Sequence, residues 1–447
     1  MELAEAYEIS DDGLTVTFNL RKGVKFHDLS EVKAEDVKYT IDRMLVLKRG
    51  IYRILSSITG AEVLDDYTVA FKLEQPFPFL LHALTSFYIV NADVVKKHEE
   101  GGDWGEKWLV EHEAGSGPYT LISWEREQQF VFEKFPEYFK GWDKQADRVV
   151  FRIISEMSAR RLALEAGDVD YAAFDADIWE ALEDVPGVER YTGPRLNQLY
   201  IALNTTNEHL KDPRVRRALA LSYDYVGHVE VVRRGHGLVA RGPFPPAIPC
   251  FDESMKPSEM NIEKAKGLMV EAGYPEGGFE LTLAYQGTDA EEVAIVQILQ
   301  AGAAELGITV KPMAMEWPAK VEAFSSEETA PDMGTIWIFP AYADPDQFLY
   351  PLGYSENAGT GGLNFAYYSN DRMDKLLDAA RTETDQDKRC ELYKEAQQLW
   401  VEDAPYLNLI VGVAMSAGRD YLKNYTYGLI HTCPLVYDMY LEGKPEK

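Results

Sequence analysis

The sequence has few cysteines, a shortage of positive charge and no long apolar run. Its 447 residues contain three cysteines and no Cys-x-x-Cys pair, so neither a disulfide framework nor a zinc site is indicated by spacing. Lysine and arginine number 45 against 74 acidic residues, a net charge of −29 that opposes binding to nucleic acid or anionic lipid. The most apolar stretch, residues 406–417, is too short to cross a bilayer.

The cysteines, Cys250, Cys390 and Cys433, leave two interpretations open. We expect unpaired buried thiols. In an oxidising compartment the alternative is a single bridge between Cys250 and Cys433.

Catalytic motifs are also missing. The eight histidines stand singly, and no metalloprotease, nucleophile-elbow, phosphate-loop or dinucleotide motif occurs. The sequence therefore predicts no catalytic residue, no metal site and no cofactor. Carboxylates are numerous, and a pair of them in an aromatic cleft is typical of a carbohydrate-active enzyme, which stays open as the alternative class.

The patterns that are present predict an α/β fold of at least two domains, because the chain is several times the length of one domain. Alternating residues around an Asp-Gly turn at 7–21 predict an opening hairpin. The proline-rich segment 242–249 marks a domain boundary, since proline cannot continue a helix or a central strand. After it, helices are predicted at 261–272, 290–306, 372–381 and 388–402, and strands at 279–285, 308–313, 333–337 and 407–413.

Aromatic residues are plentiful, with eight tryptophans and 26 tyrosines. Trp337, Phe339 and Tyr342 follow or end a predicted buried strand, and ligands of α/β sheets gather at the carboxyl ends of strands. Aromatic rings there suit the lining of a largely apolar pocket. Phe348 and Leu349, in the helical turn that follows, are expected in the core.

Matches along nearly the whole chain make it resemble the extracellular solute-binding proteins of the oligopeptide, dipeptide and nickel class, family 5, of ABC importers. The matching segments are residues 3–28, 115–119, 147–152, 167–170, 203–205, 212–218, 271–275, 316–317, 344–349 and 368–370. Each match is weak alone, and their order along the chain makes the combination specific.

The resemblance implies a two-lobed periplasmic-binding-protein-like fold of class II type, with an additional small lobe and a hinge. We expect the small lobe at 1–114, the main lobe at 115–242 with 425–447, and the opposing lobe at 243–424. The family's first matching region normally lies some tens of residues into the chain, so the resemblance also implies a truncated N-terminus.

By the same resemblance, the protein is a monomeric receptor, periplasmic or extracellular and lipid-tethered in one alternative. It captures an oligopeptide, an oligosaccharide or a similar solute between its lobes for an ABC permease complex, without catalysis, cofactor or nucleic acid. A sensor that reports its solute to a membrane partner has the same binding chemistry. The residues that fall where the family lines its pocket are Trp317, Trp337, Phe339, Tyr342 and Asn364, with Phe87 and Tyr88 facing them from the smaller lobe.

One position departs from the family pattern. Members that hold a free α-amine do so with an aspartate four residues before the proline, and here that residue is Ala341. A buried ammonium without a carboxylate partner is costly, so the sequence predicts weak binding of free di- and tripeptides. Asp344 is interpreted as the cap of the following helix, and the alternative is that it replaces the missing aspartate.

Overall fold

The structure, a computed structural model, describes residues 2–359, 361–425, 428, 430 and 435–444. The chain divides into two compact units. Unit 1 comprises residues 1–191 and 416–447, and unit 2 comprises residues 192–415. Unit 2 is therefore one continuous segment set within the sequence of unit 1.

The chain passes between the two compact units at two places. They fall at 191/192 and 415/416, within two long strands, and the proline-rich segment 242–249 lies inside unit 2. A loop inside a domain excludes regular structure just as a linker does, so proline content alone does not separate the two. The predicted lobes at 1–114, at 115–242 with 425–447 and at 243–424 stay predictions.

Strands and helices alternate along much of the described chain, as the sequence predicts. The strands are β1 (Ala4–Ile9), β2 (Thr15–Leu20), β3 (Ile58–Asp65), β4 (Thr68–Leu73), β5 (Tyr119–Glu125), β6 (Gln129–Lys134), β7 (Arg148–Arg152), β8 (Tyr171–Ala173), β9 (Val188–Leu203), β10 (Leu238–Val239), β11 (Phe279–Tyr285), β12 (Ile308–Ala314), β13 (Met333–Ile338), β14 (Tyr406–Arg419), β15 (Leu422–Lys423) and β16 (Tyr440–Leu441). The helices are α1 (Ala34–Leu47), α2 (Tyr52–Leu55), α3 (Leu80–Ala83), α4 (Ala92–Lys97), α5 (Glu106–Leu109), α6 (Met157–Glu165), α7 (Ala176–Glu180), α8 (Pro213–Ser222), α9 (Tyr225–Gly227), α10 (Ile262–Glu271), α11 (Ala290–Ala304), α12 (Trp317–Ala323), α13 (Asp346–Gly353), α14 (Asp371–Thr382) and α15 (Gln386–Asp403). Short 3₁₀ turns lie at Leu84–Ser86, Ser355–Asn357 and Val436–Asp438, and a π-helical segment lies at His228–Val232. No helix in the described part of the chain is long and apolar enough to span a membrane.

Unit 1 is built on small antiparallel sheets. One has the strand order β1-β2-β4-β3, and another has the order β5-β6-β7. The predicted opening hairpin is confirmed: β1 pairs with β2 so that Ile9 faces Val16, and Gly13 in the turn has a φ of +69°. Successive residues of β2 alternate between half-buried and buried, as expected of a strand with one face on a core.

Unit 2 contains a larger sheet in the order β10-β14-β9-β13-β11-β12. Strand β11 runs parallel to β12 and β13, whereas β13 runs antiparallel to β9. Residues 196–203 of β9 are all buried, as expected of a strand covered on both faces. The core of the unit packs helices α8, α10 and α11 against this sheet through residues such as Leu219, Met269 and Leu299.

The cysteine expectations are wrong for the described residues. Cys250 and Cys390 form a disulfide bond within unit 2, which contradicts both the unpaired thiols and the Cys250–Cys433 pairing. Cys433 itself lies outside the described residues. The fold brings the end of the proline-rich segment beside α15, where Gln397 Nε2 donates to the Cys250 carbonyl oxygen at 2.9 Å. Spacing along the chain does not reveal such a contact.

Candidate functional site

A cleft with a volume of about 430 Å³ opens in unit 2 at the carboxyl ends of β11 and β13. Gln286 directly follows β11, and Phe339 directly follows β13. The N-terminus of α11, capped by Asp289, and the first residue of α12, Trp317, complete this edge. The position agrees with the rule that ligands of α/β sheets bind beyond the carboxyl ends of strands.

Three aromatic rings form the apolar part of the cleft: Trp317, Trp337 and Phe339. The Trp337 and Phe339 rings lie 5.8 Å apart between centroids and are tilted by 32°. Phe339 is 54% exposed and Trp317 is 39% exposed. Large rings left open to solvent inside a cleft are suited to stack on a ligand.

Arg233 and Glu291 line one side of the cleft and belong to a hydrogen-bonded group of side chains that extends into the interior. The Glu291 carboxylate accepts from Arg233 Nε at 2.6 Å and from Arg233 Nη2 at 3.0 Å. His228 Nε2 lies 3.1 Å from the same carboxylate, and its other ring nitrogen contacts the Tyr223 hydroxyl at 2.9 Å. Burial on its own would raise the pKa of Glu291, but the hydrogen bonds from His228 and Arg233 outweigh it and hold that pKa at about 2. Glu291 is thus a fixed anion with its charge already compensated.

A second ion pair lies behind the cleft. Lys320, whose side chain is fully buried, donates through Nζ to Glu292 Oε2 at 3.0 Å and to the Thr335 hydroxyl at 3.1 Å. Burial lowers the pKa of Lys320, and the Glu292 carboxylate opposes that change. The ammonium also lies 5.6 Å from the centre of the Trp317 ring. This pair anchors α12 through Lys320 and therefore positions Trp317, the first residue of that helix.

Gln286, Asp289 and two residues of β9 supply the remaining polar groups. Asp289 Oδ1 accepts from the backbone N–H groups of Glu291 and Glu292, as a helix cap does, and burial raises its pKa. Arg195 and Asn197 also line the cleft. Arg195 Nε and Asn197 Oδ1 are buried and have no hydrogen-bond partner among the described residues.

The structure separates the predicted pocket residues into two groups. Trp317, Trp337 and Phe339 come together in the cleft. Tyr342 and Asn364 are buried instead, 2% and 1% exposed. The Tyr342 hydroxyl donates to Asp346, and the Asn364 amide bonds backbone groups of Tyr354 and Tyr368.

Phe87 and Tyr88 belong to unit 1. The Phe87 ring packs against Phe71 with centroids 6.4 Å apart, whereas Tyr88 is 74% exposed. A ligand contact from these two residues stays a prediction.

The two carboxylates of the loop at 341–346 are not free for a ligand amine, because Asp344 is paired with Arg389 and Asp346 with Arg381. Both Asp344 oxygens accept from Arg389 at 2.8 Å, and Asp344 Oδ1 also accepts from the Asp346 N–H at 2.9 Å. Asp344 therefore orders the start of α13, but the N-cap residue is Pro345, so the interpretation of Asp344 as the cap is wrong. The Ala341 N–H donates to Gln347 Oε1 at 3.0 Å.

Sequence reasoning missed the charged and polar half of the cleft, which comprises Arg195, Asn197, Arg233, Gln286, Asp289, Glu291 and Glu292. One signal was available. The predicted helix at 290–306 directly follows a predicted strand, so its first acidic residues had to lie at the carboxyl edge of the sheet. No comparable signal marked Arg195, because no strand was predicted around it.

Comparison with known proteins supplies the identity of the fold. The model of the bacterial extracellular solute-binding proteins, family 5 Middle, matches residues 1–360. The glutathione-binding protein GsiB of Salmonella choleraesuis is 32% identical over 426 residues, which cover 93% of this chain and 81% of the relative.

Two solved structures are similar over nearly the whole chain. The periplasmic binding protein DppA of Helicobacter pylori, in complex with the peptide STSA, is 29% identical with a TM-score of 0.85, covering 98% of this chain and 89% of that one. The oligopeptide-binding protein AppA of Bacillus subtilis, in complex with a nonapeptide, is 27% identical with a TM-score of 0.83, covering 99% and 90%. The chain has the two-lobed fold of periplasmic binding proteins and belongs to the bacterial extracellular solute-binding proteins of family 5.

Proposed function

We propose that this protein is the extracytoplasmic receptor of an ABC importer for a small peptide-like solute, and that the aromatic cleft of unit 2 contacts that solute. The observation that carries the proposal is the cleft itself, in which exposed rings lie beside buried polar atoms that have no hydrogen-bond partner in the described part of the chain. Relatives named for glutathione and for oligopeptides support the ligand class.

The proposed division of labour follows from the two kinds of side chain. The rings of Trp317, Trp337 and Phe339 supply area and stacking for side chains or for the ligand backbone. The polar groups fix the orientation of the ligand, because each unsatisfied donor needs an acceptor on the ligand and each unsatisfied acceptor needs a donor. The carboxylates of the loop around Ala341 are already paired with arginines, so the ligand is not held there by a free amine.

We propose further that the protein binds without turnover. A carbohydrate-active enzyme needs one carboxyl group that donates a proton near neutral pH. Glu291, with its pKa held at about 2, is not such a donor. Glu292 is paired with Lys320, and Asp289, although burial raises its pKa, is held by the two backbone N–H groups that it caps. Support for the carbohydrate-active alternative is therefore lacking in the carboxylates of the cleft.

Mass spectrometry of small molecules released when the purified protein is denatured tests the ligand class directly. We expect a stoichiometric peptide or peptide derivative, chemically unchanged after incubation with fresh protein. A released sugar would overturn the peptide-like class, and the appearance of a cleaved product would overturn the receptor role.

A substitution tests the position of the site. Phe339→Ala removes an exposed ring, so it should weaken binding of the recovered ligand in calorimetry while the thermal midpoint stays unchanged. The matched control is Met260→Ala, because Met260 is 51% exposed in the same unit and does not line the cleft. Equal affinities for the two variants would move the site away from this cleft.

A further inference from the structure

Two neighbouring residues of the cleft each leave one buried polar atom without a partner. Arg195 and Asn197 both lie on β9, and residues two apart on a strand point to the same face. Trp337 stands opposite Leu199 on that strand, so its ring shares this face. Asn197 is only 7% exposed, and its Oδ1 atom has no partner among the described residues. A buried polar atom without a hydrogen bond costs about 1–3 kcal/mol, and a ligand that supplies the bond removes that cost.

The neighbouring strand is built to accommodate the Asn197 amide. Gly412 lies on β14, next to β9 in the sheet. A Cβ atom at position 412 would lie 2.5 Å from Asn197 Oδ1, closer than two such atoms can approach. The glycine therefore leaves room for the Asn197 amide, whose Oδ1 atom still has no hydrogen-bond partner among the described residues.

The charges of the cleft leave one cation unused. Arg233 is neutralised by Glu291, whereas the Arg195 side chain makes no ion pair or hydrogen bond with any described residue. A guanidinium held in a partly buried site without an anion is unfavourable. It is also the side chain whose planar set of donors best matches a carboxylate, which it binds through two parallel hydrogen bonds.

We propose that Arg195 and Asn197 bind the carboxylate end of the ligand, a step that rests on the proposed function. The guanidinium pairs with the carboxylate, and Asn197 Oδ1 accepts from an N–H group beside it. A carboxylate with an N–H two bonds from its carbon is the C-terminal residue of a peptide or an N-acylated amino acid. This anchoring also agrees with the pairing of both carboxylates near Ala341 with arginines, because the ligand is held by its acid end rather than its amine.

The test uses two pools of N-acetylated tripeptides with the same sequences, one with free carboxylates and one with C-terminal amides. Each pool is incubated with the full-length protein, and retained peptides are quantified by mass spectrometry after gel filtration. We expect the free-acid pool to be retained at least about tenfold better than the amides. Arg195→Gln should weaken retention of the acids by roughly 30-fold, because it removes one partner of a buried charge pair, and should leave the amides unaffected.

The matched control is Arg372→Gln, which removes an exposed arginine of the same unit that pairs with Glu395. It should behave like the native protein toward both pools. Because Arg195 has no partner in the described structure, Arg195→Gln should keep or raise the thermal midpoint. A lowered midpoint together with an intact preference for acids would show a purely structural role and overturn the inference.

The remaining outcomes separate the two proposals. Equal retention of acids and amides by the native protein would overturn the carboxylate anchor while leaving peptide binding in place. Retention of neither pool would overturn the peptide-like ligand class, and the anchor with it.

Discussion

Replacing Lys320 with methionine should destabilise unit 2 strongly. Methionine has nearly the same length and volume, so packing is largely kept while the charge is removed. The Lys320 Nζ to Glu292 Oε2 distance is 3.0 Å, at which two unit charges attract by about 5–6 kcal/mol for an effective dielectric constant of about 20. Breaking a buried pair by removing one partner costs about 3–5 kcal/mol, because the other charge stays buried alone. We expect a loss in that range.

A double variant identifies the cause of the loss. In Lys320→Met with Glu292→Gln, the uncompensated anion is gone, and the glutamine oxygen still accepts from the Gln286 N–H and the Thr335 hydroxyl. The double variant should therefore recover most of the lost stability, which corresponds to a coupling energy of at least about 2 kcal/mol.

The assay is native-state hydrogen exchange, read on peptides from α11 and β13. A two-unit protein does not unfold as a single two-state system, and exchange reports the stability of each region separately. The control is Lys311→Met, which removes an exposed ion pair with Glu280 in the same unit and should change stability by no more than about 1 kcal/mol. If Lys320→Met lowers stability no more than this control, the buried pair is not what holds α12 in place.

Two glycine substitutions, reduction of the disulfide and a change at Glu291 have expected outcomes. Gly302→Ala in α11 puts a Cβ 2.0 Å from the carbonyl oxygen of the last residue of α8, so it should lower stability by about 1–3 kcal/mol. Gly267→Ala in α10 has nothing within 4 Å of the new Cβ, so it should raise stability by about 0.5–1 kcal/mol. Hydrogen exchange in the two helices measures both effects. Reduction of the Cys250–Cys390 bond should lower the thermal midpoint, with a loss of about 2–4 kcal/mol, and thiol labelling of the denatured chain should rise from one cysteine to three; three labelled cysteines before reduction contradict the bond. The pKa of Glu291 is about 2 in the folded protein against an ordinary value of 4.5. The ionised carboxylate therefore stabilises the fold fully above pH 4.5, and on the order of 3 kcal/mol of stability is lost as the pH falls through 2. Glu291→Gln should accordingly lose less stability than the native protein between about pH 5 and about pH 2 in an acid titration followed by circular dichroism, and parallel acid curves count against the assignment.

The sequence predicted the regular alternation of unit 2 well because periodicity and caps act locally. The predicted strand at 279–285 and helix at 290–306 correspond closely to β11 and α11, whose boundaries are set by alternating burial and by the Asp289 cap. Strand β9 was not predicted at all. Its Gly193-Pro194 step is typical of a turn, yet the strand continues through it, and only its place between β14 and β13 explains the buried run that follows.

The candidate site divides along the same line. Trp337 and Phe339 were predictable because they end a strand, and that position alone puts them at the ligand edge of the sheet. Tyr342 lies only three residues further on, where the chain has turned and the ring points into the interior. The partners of Arg233 and Lys320 are far away in sequence, so only the fold shows which cations are neutralised and that Arg195 is not.

The insertion of unit 2 within unit 1 sets an order for synthesis on the ribosome. Strand β8 is made early, but its partner at the end of β14 emerges only after all of unit 2, since Ala173 pairs with Ser416. Unit 2 is contiguous, so it can complete its sheet as soon as the body of β14 has left the exit tunnel. Throughout this interval β8 of unit 1 lacks its partner strand, and the pairing that forms later has to close a long loop. The nascent chain is thus most exposed to misassembly in unit 1, and a chaperone that acts during translation has the most to protect there.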